Sequence, residues 1–143
     1  MKKPAKSLRK VVWLHDGLLP VHIAFCPSEY AWNKLMKKFK VPDPDPWHKD
    51  GRQAFTATFY GQRNGAANFI VSINHDKNAH DTYLTIVHEA VHVWQFTCDH
   101  MAERRPGIEM EAYSIEHIVD GLIKAYGKTH GKIPKSKKWW GRK

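Results

Sequence analysis

The chain has little cysteine and no long apolar run, and each shortage excludes a class of protein. Its 143 residues include 2 Cys, too few for the disulfide framework of a small secreted domain or for a four-thiolate zinc site. No apolar stretch approaches the roughly 20 residues that span a membrane, and the basic N-terminal sequence lacks the apolar segment of a signal peptide. Glycine and proline, at 9 and 8 residues, are too scarce for collagen or a linker. We therefore expect a soluble, cytoplasmic protein with no membrane partner.

Positive charge is concentrated at the two ends of the sequence. Residues 1–10 carry 5 Lys or Arg and residues 124–143 carry 8, and neither stretch contains an acidic residue. The other 10 basic residues share the region 11–123 with all 14 acidic residues. Such ends either favour solubility alone or contact nucleic acid non-specifically. In the second case Trp139 and Trp140 would stack on bases while the neighbouring cations meet phosphates.

Turn residues and apolar periodicity predict one domain at 11–126, between a basic N-terminal tail at 1–10 and a basic, Trp-containing C-terminal tail at 127–143. The predicted elements are strands at 10–14 and 20–25, a helix at 28–39, a hairpin of strands at 54–60 and 68–74 around Asn64-Gly65, and helices at 81–98 and 108–126. The residues expected at the helix ends are Ser28 or Pro27, Asp81 and Gly127. This order favours an α+β fold with a small antiparallel or mixed sheet packed on two C-terminal helices.

The most informative stretch is His88-Glu89-Ala90-Val91-His92, inside the first of these C-terminal helices. At about 100° per residue, His88, Glu89 and His92 project from one side of a helix, with the two imidazoles one turn apart. Zinc binds neutral imidazole nitrogens tetrahedrally, and an intervening carboxylate can accept a proton from a zinc-activated water. Apolar residues on most faces predict a buried helix, where these polar groups would be costly without a metal. We therefore predict a zinc site in which Glu89 is the general base.

A catalytic zinc site needs a third protein ligand and an open position for water. The candidates are Glu109 and Glu111 in the next helix, which a turn at 105–107 can fold back against the first. The motif HEAVH followed by Glu109-x-x-Ala112 resembles the gluzincin branch of the zincin metallopeptidases, in which a Glu with a small residue three positions on completes the site. The resemblance implies Glu109 as the ligand, with Glu111 as the runner-up. Tyr113 stands where this family often has an Asp that orients a ligand.

The resemblance, over residues 66–126, also implies a fold and an activity. The fold is zincin-like, with a sheet packed on the active-site helix and a ligand-bearing helix after it. The activity is that of a zinc-dependent peptidase acting on a protein or peptide substrate. An edge strand near the site pairs with extended substrate in this family, a role we expect for Asn68–Asn74. The donor that stabilises the oxyanion would be Tyr113, His117 or His75.

Other interpretations of the same residues remain open. In its small size and basic ends the chain is also similar to Spartan/SprT-like proteases. Those proteases use a third histidine to bind zinc, and His117 would then be the third zinc ligand. A zincin fold kept only for binding protein or nucleic acid is a second alternative, against which Glu89 argues because a structural zinc site needs no general base. A zinc hydrolase acting on another amide or ester is a third. Oligomeric state is not indicated by the sequence.

Overall fold

The computed structural model describes residues 2–14, 17–48, 52–63, 66–74 and 79–133. Over these ranges the chain forms β1 (Val12–Trp13), β2 (His22–Cys26), α1 (Glu29–Phe39), β3 (Ala54–Arg63), β4 (Ala66–Ile73), α2 (Ala79–Met101) and α3 (Ile108–His130), preceded by a 3-10 turn at Lys6–Leu8. The protein is therefore α+β, as expected, with a small mixed sheet and three α-helices in the described part of the chain. None of the described helices is both long and apolar enough to cross a membrane.

The four described strands form one sheet in the order β1-β2-β4-β3. The pairs β1–β2 and β3–β4 are antiparallel, and β2 lies parallel to β4. The β3–β4 pair confirms the predicted hairpin, although its turn at Asn64-Gly65 lies outside the described residues. Strand β4 is central, so the prediction of Asn68–Asn74 as an edge strand is wrong. The central position of β4 is reflected in the burial of every residue from Ala67 to Ile73, which is typical of a strand covered on both faces.

The two faces of the sheet carry separate apolar cores. On one face, α1 packs through Trp32 and Leu35 against Ala24, Cys26 and Ile70. On the other face, α2 and α3 pack against alternate residues of the same strands; this larger core includes Phe25, Phe69, Val71, Ile86, Val93, Ile118 and Leu122. Because strand side chains alternate between faces, each strand contributes to both cores. Helix α2 is thereby fixed over β3 and β4.

The helix ends agree with the sequence at α1 and differ elsewhere. Ser28 caps α1 by accepting a hydrogen bond from the Ala31 amide at 3.2 Å, as predicted. The prediction of Asp81 as a cap is wrong because α2 begins at Ala79, which places Asp81 in the first turn. There its negative charge favours the positive end of the helix dipole.

Helix α3 continues to His130, past its predicted end at Gly127. The Gly127 carbonyl accepts a hydrogen bond from the Gly131 amide at 3.1 Å, and this bond closes the last turn. Residues 127–130 of the predicted C-terminal tail are therefore helical. Its remaining tryptophans, Trp139 and Trp140, lie outside the described residues.

Candidate active site

Helix α2 exposes one side to solvent and buries the other. Ile86, Ala90 and Val93 are fully buried and face the sheet and α3. By contrast, Leu84 is 56% exposed and Val87 44% exposed. The prediction that this helix is buried on most faces is therefore wrong on its outer side. One face of the helix is thus packed against the core and the other is exposed to solvent. The HEAVH motif contributes residues to both faces.

The two motif histidines converge on each other. The Nε2 atoms of His88 and His92 are 3.0 Å apart, and their ring centroids are 4.6 Å apart. His88 is exposed and His92 is half-buried, so the pair is accessible from solvent. Zinc–nitrogen bonds of about 2.0–2.1 Å at a tetrahedral angle hold two ligand atoms roughly 3.3 Å apart. The pair therefore fits two positions of a zinc site.

Gln95 orients the His92 ring. Its Oε1 atom lies 3.1 Å from His92 Nδ1. Because a carbonyl oxygen only accepts, Nδ1 carries the proton and donates to Gln95. In a neutral imidazole this leaves the lone pair on Nε2, the atom that faces His88. An outer partner of this kind fixes ligand orientation in metal sites. This contact could have been predicted from the sequence, because the three-residue spacing between His92 and Gln95 places both side chains on one helix face.

Glu89 is turned from the histidine pair toward the sheet. Its side chain is only 4% exposed, and Oε2 accepts a hydrogen bond of 2.6 Å from Thr56 Oγ1. Thr56 belongs to β3, an edge strand among the described strands. A charge-assisted bond of this length compensates part of the cost of burying a carboxylate. The sheet edge therefore holds the carboxylate of Glu89, one residue along the helix from His88, as a hydrogen-bond acceptor.

His48 adds a second polar group near Glu89. Its Nδ1 donates to the Arg52 carbonyl at 2.6 Å, and its Nε2 accepts from Ser72 Oγ at 3.0 Å. Burial lowers the pKa of the His48 imidazole, although the Arg52 bond and the charge of Glu89 both act to raise it. The ring is therefore held neutral. Nothing in the sequence pattern indicates this role, because the contact joins a Pro-rich loop to a central strand.

The predicted third ligand Glu109 and the predicted donor Tyr113 lie on one side of α3, and the runner-up Glu111 lies on the other. Glu111 Oε2 accepts a hydrogen bond of 2.9 Å from Trp94 Nε1, so Glu111 faces α2. Residues two positions apart on a helix project about 200° apart. Glu109 and Tyr113 each stand two positions from Glu111 and consequently face away from α2; both are exposed, Tyr113 by 63%. The structure does not bring either of them to the histidine pair.

The alternative histidines are not brought to the pair either. His117 lines a groove with residues of β1, at the sheet edge opposite to β3. His75 lies outside the described residues. Within the described ranges, no group of three or more His, Cys, Asp or Glu side chains is positioned to hold a metal ion. The structure therefore brings two of the predicted ligands together, turns the predicted base toward β3, and in the described residues places no third ligand beside the pair.

A groove of about 500 Å³ follows the edge strand β3. It lies between this strand, α1 and the Pro-rich loop, and it reaches Thr56, the partner of Glu89. Its walls combine aromatic side chains with a few charges; they include Trp32, Phe55, Phe59, Asp43 and Arg52. The aromatic walls belong to the α1 face of the sheet, whereas Glu89 belongs to α2 on the other face, and Thr56 is the residue that the groove shares with the candidate site.

The two cysteines do not supply a nucleophile. Both are buried free thiols. Burial raises the pKa of Cys26 to about 12, and it also raises the pKa of Cys98, where the negative charge of Glu111 adds to the effect. Since the thiolate is the reactive form, neither residue is activated for attack.

Comparisons with known proteins leave the family of this chain open. No family model matches it, and we found no significant match among curated proteins or solved structures. The resemblance to gluzincins therefore depends on HEAVH and on Glu109-x-x-Ala112, and it stays a prediction. The α+β class and the mixed sheet are features of the structure itself.

Proposed function

We propose that this protein is a zinc-dependent peptidase with a zincin-like arrangement of sheet, α2 and α3. One observation carries the proposal: the Nε2 atoms of His88 and His92 converge to 3.0 Å on the same helix that carries the buried carboxylate of Glu89. Two convergent imidazoles, a carboxylate on the same helix and an edge strand supply part of what metal-assisted amide hydrolysis needs, and a third ligand has to be added to them. The accessible side of the pair leaves room for substrate.

His88 and His92 would hold the metal. When bound, zinc would acidify a water molecule and polarise the scissile carbonyl. The family pattern implies Glu109 as the third ligand, but the geometry favours Glu111. Glu111 projects toward α2, where it bonds Trp94, whereas Glu109 projects away from α2. Because Trp94 stands two positions from His92, Glu111 would have to leave Trp94 to reach the histidine pair.

Glu89 would move the proton. Thr56 donates to Oε2, and we assign proton transfer to the other oxygen, Oε1. Glu89 would take a proton from the attacking water and deliver it to the leaving amine. Thr56 would act as a positioning residue, because it holds the carboxylate in one orientation while the proton moves. The neutral ring of His48 adds no positive charge that would compete for this carboxylate.

The substrate would be an extended peptide paired with β3. An edge strand offers backbone donors and acceptors to a further strand, and alternate side chains of that strand then enter neighbouring pockets. The groove along β3 provides such a pocket, with Trp32, Phe55 and Phe59 in its walls. This surface suits an apolar or aromatic substrate side chain.

The direct test combines activity with zinc content. The full chain, loaded with zinc, is incubated with a peptide mixture and the cleavage products are identified by mass spectrometry. We expect Glu89→Gln to lower hydrolysis by about 10²–10⁴-fold, the usual contribution of a general base, while zinc content stays at the wild-type level. Hydrolysis that persists in Glu89→Gln, or that is indifferent to removal of zinc, would contradict the proposal.

A further inference from the structure

A second groove, separate from the candidate site, is lined by basic side chains. It has a volume of about 550 Å³ and lies between β1, α1 and the N-terminal segment. Four cations surround an apolar floor that includes Trp13 and Leu35; they are Arg9, Lys10, Lys34 and Lys38. Among its described lining residues none is acidic. We refer to this surface as the basic groove.

One serine joins the two segments that form the basic groove. The Ser28 hydroxyl caps α1 and also donates to the Leu8 carbonyl, which holds the N-terminal segment against the helix. Arg9 is further oriented by a bond of 2.8 Å from its Nε to the Pro4 carbonyl. The basic N-terminal stretch therefore lies beside the lysines of α1, where it forms one wall of the groove.

The lysines of α1 are arranged at a cost to the helix. Lys34 and Lys38 are exposed and four positions apart, so their charges lie on one face, one turn apart. Like charges at this spacing destabilise a helix, and Arg9 and Lys10 add further positive charge across the groove. An anionic ligand would relieve this repulsion.

The charge of the basic groove is a local property. The region 11–123 contains more acidic than basic residues, and the groove along β3 is lined by Asp43 and Asp45 as well as Arg52. The lining of the basic groove is thus purely positive among its charged residues, whereas the groove along β3 is mixed in charge. A row of cations beside an aromatic ring matches a flexible polyanion whose bases can stack.

We propose that the basic groove binds the phosphodiester backbone of single-stranded nucleic acid, with a base stacking on the half-buried Trp13, whose ring also contacts His22. The proposal is independent of the peptidase function, because neither the histidine pair nor Glu89 lines this groove. Contact with Lys34 and Lys38 would neutralise phosphates and release counterions, so binding would weaken with salt.

The test is the salt dependence of binding by the full chain. A labelled oligothymidylate is titrated by fluorescence anisotropy at several salt concentrations, with wild type and with the double variant Lys34→Gln/Lys38→Gln. At about 0.7 per phosphate contact for a single strand, we expect the slope of log K against log salt to fall in magnitude by about 1.4. The matched control is Arg104→Gln/Arg105→Gln, which removes the same charge from exposed positions after α2. It should leave the slope unchanged.

Three outcomes would overturn the proposal. One is an equal change in slope for both double variants, which would mean that overall charge governs binding. Another is tighter binding of a duplex than of the single strand. The third is binding of phosphatidylglycerol vesicles that depends on Lys34 and Lys38 while oligonucleotide affinity does not. Peptidase activity is unaffected in each case, so failure here is distinguishable from failure of the proposed catalytic function.

Discussion

Helices α2 and α3 contribute to the candidate site in different ways. On α2, His88 and His92 are one turn of the same helix apart, and their Nε2 atoms meet at 3.0 Å. On α3, the acidic side chains Glu109 and Glu111 face opposite sides, and Glu111 bonds Trp94 of α2. Geometry within one helix is fixed by its repeat, whereas geometry between helices depends on packing and on the turn that joins them. The difference indicates that the histidine pair is preorganised and that the third position depends on how α3 is placed.

The largest expected effect comes from breaking the pair itself. His88→Ala or His92→Ala should lower zinc affinity by more than about 100-fold, because loss of a ligand exceeds the 10–100-fold effect of an outer partner. Zinc affinity is measured by competition with a chromophoric chelator. The control is His100→Ala, since His100 is an exposed histidine of the same helix whose ring contacts Tyr60. Equal zinc affinity in all three variants would exclude the pair as the metal site.

The carboxylates of α3 test the other side of the comparison. If Glu111 is the third ligand, Glu111→Gln should weaken zinc binding by more than about tenfold, while Glu109→Gln should stay within about fivefold, as for an exposed charge. The same chelator competition measures both variants. A larger loss of zinc affinity in Glu109→Gln than in Glu111→Gln would identify Glu109 as the third ligand, as the family pattern implies. It would also mean that α3 rotates when the metal binds.

The sequence predicts the α2 part of the site better than the α3 part, for a physical reason. One helical repeat was enough to bring His88 and His92 together. It also placed Glu89 on their side of the helix, whereas the structure turns Glu89 toward Thr56 of β3. On α3, Ser114, Ile118 and Leu122 are buried, and the exposed Glu111 stands on their side of the helix, seven positions before Ile118. That spacing was visible in the sequence and favoured Glu111, but the family pattern favoured Glu109.

Contacts across the sheet could not be predicted from local patterns. Thr56 bonds a residue 33 positions away, and His48 bonds Ser72 at a separation of 24. Both contacts depend on the strand order, and the family resemblance led us to place β4 at an edge. The consecutive apolar residues Phe69, Ile70 and Val71, which do not alternate with polar ones, were the available sign that the strand is central.

Gln95 sharpens the comparison within α2. Gln95→Ala removes the acceptor for His92 Nδ1 without touching a ligand atom. We expect zinc affinity to fall by about 10–100-fold, less than for either histidine. Gln95→Glu, which keeps an acceptor oxygen, should retain most of the affinity. Full affinity in Gln95→Ala would show that the helix alone orients the ring.

Thr56 tests whether the sheet edge holds the base. Thr56→Val keeps the shape but leaves the buried Glu89 carboxylate without its donor. The free energy of unfolding should fall by about 1–3 kcal/mol, the cost of an unsatisfied buried polar group. Urea denaturation at neutral pH measures it. Thr58→Val, at an exposed position on the same strand, should change stability by no more than about 0.5 kcal/mol.

The smallest effect concerns His48 and pH. Because burial holds its pKa below the usual 6.5, the unfolded chain binds a proton at this residue before the folded chain does. The corresponding stability is fully present above pH 6.5 and is lost as pH falls through the lower folded value. The melting temperature of wild type should therefore decrease more steeply below this pH than that of His48→Gln, which has no imidazole to protonate. Parallel curves for the two proteins would mean that the ring is as easily protonated in the fold as in the unfolded chain, and that the negative charge of Glu89 offsets its burial.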